Sequence, residues 1–146
     1  MIPAFEPNGN LPSGIHETTF AEFEKRFAYS IRRRNLLEGL VKLMFDLKKI
    51  NCKSIYVDGS FVTIKRLPSD IDVCWEDNGI DYNFSELMLP ILFDFDNGRR
   101  NQQNEYSCDI FPANFMESGS QKLFKDFFQQ DKSTGLKKGI IKLPIL

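Results

Sequence analysis

Two apolar runs of strand length, separated by a glycine turn and a polar loop, mark the middle of the chain: Ser54–Asp58 and Asp70–Trp75, within IYVDGSFVTIKRLPSDIDVCWE. Both are short, alternate in polarity or are fully apolar, and are bounded by turn residues, which predicts strands. Between them Phe61–Ile64 reads as a short helix or turn. Upstream, Leu36, Leu37, Leu40, Val41, Met44 and Phe45 recur at helical spacing, so residues 30–50 are expected to form the longest helix. A shorter helix should run from Thr19 to about Phe27. Thr19-Phe20-Ala21-Glu22 has the form of a capping box, and Phe20, Phe23 and Phe27 fall on one face. Downstream, Phe84–Phe93 reads as a helix interrupted at Pro90. Residues 94–105 are polar, Tyr106–Phe111 is a third apolar run closed by Pro112, and residues 119–130 carry Leu123, Phe124, Phe127 and Phe128 on one helical face.

The ends differ from the middle. Residues 1–17 are rich in Pro, Gly and Asn and read as an extended arm. The last residues, 139–146, are too apolar for a free linker. The expected organisation is therefore an arm (1–17), a domain (18–130) and an apolar tail (131–146) that docks on the domain or on a partner. Helices followed by strands with interspersed helices predict an α/β or α+β layer fold, a small mixed sheet flanked by helices in a single domain.

Composition narrows the class. The chain has 146 residues, 42% hydrophobic and 27% charged, enough for one domain with a real core. With 14 phenylalanines that core should be aromatic-rich. The net charge is −1, so bulk charge gives no reason to expect a long nucleic-acid duplex as partner. No apolar run approaches a membrane span, and no signal peptide is visible, so a cytoplasmic protein is expected. Cys52, Cys74 and Cys108 lack metal-ligand spacing, and Cys74 and Cys108, inside apolar runs, read as small buried residues. Arg32-Arg33-Arg34 open the long helix at its positive end, where arginine is unfavourable; this points to a partner elsewhere, with solvent exposure the default.

The chemistry concentrates around the two central strands. Side chains alternate along a strand, so Asp70 and Asp72 share a side while Ile71, Val73 and Trp75 face the core. Two carboxylates about 7 Å apart repel unless a cation lies between them, and Mg²⁺ takes oxygen ligands from one or two carboxylates plus substrate phosphates. Nine residues earlier, Gly59-Ser60 ends the first strand, where the backbone can approach phosphate oxygens closely. Asp109, in the third apolar run (SCDIF), would complete a three-acid site for displacement at phosphorus. Thr63, Lys65 and Arg66, in the intervening loop, are candidate phosphate contacts. His16, the single histidine, lies in the arm and reads as structural; with it alone no His-based metal site or Ser-His-Asp triad can be assembled.

Val57-Asp58-Gly59-Ser60, the nine-residue spacer, Asp70-Ile71-Asp72 and the later Asp109 together resemble the nucleotidyltransferase superfamily, the group of DNA polymerase β-like and minimal nucleotidyltransferases. The resemblance covers roughly residues 36–128. The chain is also similar to a family of small bacterial nucleotidyltransferase-like proteins sharing a Pro-x-Gly-Ile-His element (Pro12–His16), a Tyr-Val-Asp-Gly-Ser-Phe strand-turn and a Phe-Pro after the last acid. The resemblance implies a nucleotidyltransferase-like fold. It implies Asp70, Asp72 and Asp109 as metal ligands for Mg²⁺ (or Mn²⁺), with Asp109 also the base. It further implies Gly59 and Ser60, assisted by Thr63, Lys65 and Arg66, as the nucleotide-binding residues.

The implied activity is transfer of a nucleoside monophosphate, expected to be AMP from ATP, to a hydroxyl of a protein or tRNA. The implied setting is toxin–antitoxin or defence, with a cognate toxin as one acceptor. Two features depart from the pattern: no arginine closely follows Gly59-Ser60, and Asp58 adds a negative charge beside the glycine. The alternative is a non-catalytic nucleotidyltransferase-like module that binds its partner through the arm and the tail.

Overall fold

A computed structural model describes residues 1–146 as a mixed α/β domain. The elements are β1 (Gly14–Glu17), α1 (Phe20–Phe27), α2 (Ile31–Lys48), β2 (Ser54–Asp58), β3 (Ile71–Trp75), α3 (Tyr82–Met88), α4 (Asp96–Tyr106), β4 (Cys108–Pro112), α5 (Phe124–Phe127) and β5 (Gly139–Pro144). Single 3₁₀ turns occupy Gly59–Val62 and Pro90–Phe93. The five strands form one sheet in the order β1-β5-β2-β3-β4. β1 runs parallel to β5 and β3 parallel to β4, while β2 is antiparallel to both of its neighbours.

One face of the sheet carries the main core. Ile55, Val57, Ile71, Val73, Trp75, Ile110, Ile141 and Leu143 are fully buried beneath α2, which contributes Leu36, Leu37, Leu40, Leu43 and Leu47. Each buried leucine side chain contributes about 1.5–3 kcal/mol by removal from water. The apolar stripe on α2 is rotated from its expected position: Leu43 and Leu47 are buried, whereas Val41 and Phe45 are exposed. The helix is steered by Gly39, where an added Cβ would lie 2.0 Å from the Tyr106 carbonyl oxygen, so α2 crosses the end of α4 at backbone contact. Phe23, Phe27 and Phe61 extend the core with ring centroids 5.1–6.3 Å apart.

The opposite face is only half covered. Tyr56, Cys74, Ala113, Phe128 and Ile140 form a second cluster, joined by Phe111, Phe124 and Phe127. The other half of this face carries the aspartates.

Several expectations change. The arm (1–17) ends in β1, and the tail (131–146), expected to dock on the domain or a partner, contains β5, an interior strand between β1 and β2, so the sheet extends beyond 18–130 at both ends. The tail is apolar because its residues Ile140, Ile141 and Leu143 are buried in the sheet. The polar residues 94–105 form most of α4, a helix without an apolar stripe because it buries only Gln102 and Tyr106. Tyr106 accordingly ends α4, and the third strand begins at Cys108. The helix expected over 119–130 shrinks to one turn, Phe124–Phe127. Upstream of it, the Glu117 carboxylate accepts from the Gly119 and Ser120 amides and holds a turn instead. The break at Pro90 falls where expected, between α3 and a 3₁₀ turn.

Candidate active site

The strand register places three aspartates side by side. Asp72 on β3 pairs with Asp58 on β2 and with Asp109 on β4. Asp70 immediately precedes β3, two residues from Asp72, and points to the same side. Carboxylate oxygens of Asp70, Asp72 and Asp109 all lie within 4.8 Å of one another, and each residue is half-buried. None of the three is in an ion pair.

This crowding shows in their acidities. Burial, then the Asp70 and Asp109 charges, pushes Asp72 up to about 7. Burial and Asp109 raise Asp70 as well. Three hard oxygen donors that repel one another at this spacing suit a divalent, oxygen-seeking cation of the Mg²⁺ or Mn²⁺ type.

Asp58 stands apart from the trio. It is fully buried, its Oδ1 has no hydrogen-bond partner, and its Oδ2 meets only the Cys74 thiol, which donates at 3.8 Å. Burial and the neighbouring Asp72 hold it well above the usual carboxylate range. The extra acid noted before Gly59 is therefore a buried group behind the site, whose charged form burial and Asp72 disfavour.

Gly59 is the hinge of this arrangement. Its φ is +72°, and a Cβ there would lie 2.2 Å from Asp72 Oδ2. Both facts disfavour a side chain here. Gly59, Ser60 and Lys65 line the same cavity as Asp72. Thr63 and Arg66 are placed otherwise. The Thr63 hydroxyl donates to the Ser60 carbonyl at 2.8 Å and braces the turn, and Arg66 is exposed.

The loop joining Gly59-Ser60 to Asp70 is held by the arginines of α2. Fully buried Arg33 donates to the carbonyls of Phe27 (3.1 Å), Phe61 (2.6 Å), Thr63 (3.0 Å) and Lys65 (2.5 Å). Arg32 donates to Pro68 and Ser69 at 2.9 and 2.8 Å. The unfavourable charge at the start of α2 thus has its partner in this loop's backbone.

On the other side, α4 holds Asp109. Gln103 Nε2 donates to Asp109 Oδ1 at 2.7 Å, and Gln102 Oε1 accepts from the Ile110 amide at 2.9 Å. Arg99 lies between the Phe95 and Phe111 rings, 4.4 and 3.9 Å from their centroids, and donates to the Ile110 carbonyl at 2.5 Å. Three successive left-handed residues, Asn97, Gly98 and Arg99, deliver it there, at a cost in backbone strain for the two that are not glycine. Gln103 carries no sequence signal, and Arg99 shows only as half of the basic pair Arg99-Arg100 ahead of the third strand; both lie in a polar run indistinguishable from a loop. His16 bonds the Pro12 carbonyl at 2.6 Å and packs at Gly139, on the far strand β5, consistent with a structural part.

Lys132 and Lys138, from the turn that precedes β5, also line the Gly59–Ser60–Asp72 cavity, and their charges favour the ionised forms of Asp72 and Asp58, partly opposing the upward shifts. They were invisible to spacing arguments because they lie 60 and 66 positions beyond Asp72.

No curated protein and no solved structure matches the chain. One family profile, described as a family of unknown function (DUF6932), matches residues 3–144. That match spans every strand and all four aspartates, and the chain belongs to the DUF6932 family.

Proposed function

We propose that this chain is a Mg²⁺-dependent nucleotidyltransferase with a nucleotidyltransferase-like fold. It moves a nucleoside monophosphate, AMP from ATP in the first instance, to a hydroxyl of a protein or tRNA. The observation that carries the reading is the clustering of Asp70, Asp72 and Asp109 within 4.8 Å, beside a left-handed glycine whose added Cβ would meet Asp72.

The residues divide the work. Asp70 and Asp72, with Asp109, would hold Mg²⁺ or Mn²⁺, which when bound supplies charge neutralisation at the phosphoryl oxygens. Gly59 and Ser60 lie where the backbone can approach a phosphate. Asp109 has one carboxylate oxygen engaged by Gln103, leaving the other to accept a proton. The acceptor oxygen attacks the α-phosphorus while the bond from that phosphorus to the bridging oxygen of pyrophosphate breaks. The bonding pair leaves with pyrophosphate, and the hydroxyl proton passes to Asp109.

Incubation with ATP labelled at the α-phosphate, in the presence of co-purified proteins and tRNA, tests the reading. Label should pass to an acceptor from α-labelled ATP and not from γ-labelled ATP, and Asp70→Asn/Asp72→Asn should abolish it. A toxin that co-purifies with the chain is the first acceptor to assay. Equal labelling by wild type and the aspartate variant would refute the assignment.

A further inference from the structure

Three lysines without ion-pair partners converge on one side of the aspartates. Lys65 follows the Gly59-Ser60 turn; Lys132 and Lys138 come from the turn before β5. All three line one cavity of about 510 Å³ together with Gly59, Ser60 and Asp72. The other carboxylate of this cavity, Asp131, is engaged elsewhere. Its Oδ1 accepts from the Ser133 hydroxyl and amide at 2.6 and 2.8 Å, and its Oδ2 accepts from Asn10 Nδ2 at 3.0 Å. The lysines therefore present a surplus of positive charge to a concave surface, which favours a multiply charged anion.

Their spacing is built. Asp131 N donates to the Leu136 carbonyl, Gly135 N to Asp131 and Lys138 N to Gln129, at 2.8, 2.8 and 2.9 Å, which closes the turn carrying Lys132 and Lys138. Two successive residues of the arm then tie both lysine-bearing loops together. The Gly9 carbonyl accepts from the Ile64 amide at 2.9 Å, next to Lys65, and Asn10 donates to Asp131, next to Lys132.

We propose that Lys65, Lys132 and Lys138 form a cradle for the β- and γ-phosphates of a nucleoside triphosphate, with Gly9-Asn10 as the strap that sets its width. The identity of the ligand rests on the nucleotidyl-transfer reading; the cradle itself rests on the lysines and the strap. It also gives the reaction a direction. The lysines lie toward β2 and β5, whereas Arg99, Gln103 and Asp109 lie toward β4. Pyrophosphate leaves on the β5 side, and the acceptor hydroxyl arrives from the α4 side.

Calorimetric titration of the full chain with tripolyphosphate, ATP and AMP, in EDTA so that no divalent cation takes part, separates this claim from catalysis. Wild type should bind tripolyphosphate and ATP, and AMP far more weakly. Lys132→Gln/Lys138→Gln should lose about tenfold or more in affinity for tripolyphosphate and ATP, the loss expected for charge-assisted contacts, and should leave AMP unchanged. Asn10→Ala, with every lysine intact, should weaken tripolyphosphate severalfold. Asp70→Asn/Asp72→Asn should retain tripolyphosphate binding. Unchanged affinity in the lysine variant, with its thermal midpoint at the wild-type value, would overturn the cradle. Binding without any label transfer would instead leave the cradle standing and remove the catalytic reading.

Discussion

Asp72 lies in register between Asp58 and Asp109, and its raised pKa has a consequence for stability. Its ordinary value of 3.8 applies to the unfolded chain, and burial with two neighbouring acids lifts it to about 7 in the fold. Between these values the folded state holds a proton that the unfolded state has released. Stability therefore falls as pH rises through that window and stays low above it. Asp72→Asn removes the effect. Its melting temperature should exceed that of wild type by several degrees at pH 8, and the gain should vanish near pH 4, as read by calorimetry in EDTA. Mg²⁺ added to wild type should recover part of the gain at pH 8 and little of it at pH 5. A pH-independent difference between the two proteins would contradict the assignment of the shift to Asp72.

Gly59 makes the opposite test at the same scale. Gly59→Ala strains a left-handed backbone and drives a methyl into Asp72 Oδ2. It should cost about 1 kcal/mol or more in stability. It should also weaken Mn²⁺ binding followed by electron paramagnetic resonance, because the displaced carboxylate no longer meets its partners.

The elements around the site act as its supports. Arg33 joins α2 to the Gly59–Asp70 loop through three carbonyls and to the end of α1 through a fourth, with its guanidinium wholly buried. Arg33→Met leaves those acceptors unpaired and should lower the urea unfolding free energy by about 1–3 kcal/mol or more, the cost of buried carbonyls left without partners. Gln103 on α4 is a milder case. It touches the site only through Asp109, so Gln103→Leu should reduce Mn²⁺ affinity about tenfold, as outer-shell changes do, while the melting temperature stays near that of wild type. A parallel drop in both would assign Gln103 a purely structural part.

At the scale of the molecule, the sequence revealed what is local. The alternation that puts Asp70 and Asp72 on one side, the glycine after β2, the break at Pro90 and the Thr19 cap, though without the reciprocal Glu22 bond of a capping box, are all decided within a few residues and appear in the structure. What lay beyond reach depends on distant contacts. The terminal apolar run is an interior strand only because β1 and β2 flank it. Polar α4 forms without an apolar stripe because Gln102 bonds the carbonyls of Ile91 and Leu92 and Gly39 admits its C-terminal end. Lys132 and Lys138 reach the site by chain reversal before β5 rather than by any spacing. Removal of residues 139–146 should accordingly abolish cooperative unfolding by circular dichroism, where a dispensable tail would leave it intact.

The whole account turns on three aspartates binding a metal–nucleotide complex. Isothermal titration of the protein with ATP in excess Mg²⁺ tests this most directly. Wild type should give a saturable one-site heat, and Asp70→Ala/Asp72→Ala, shown to be folded by circular dichroism, should give none. Equal heats from the two proteins would contradict it.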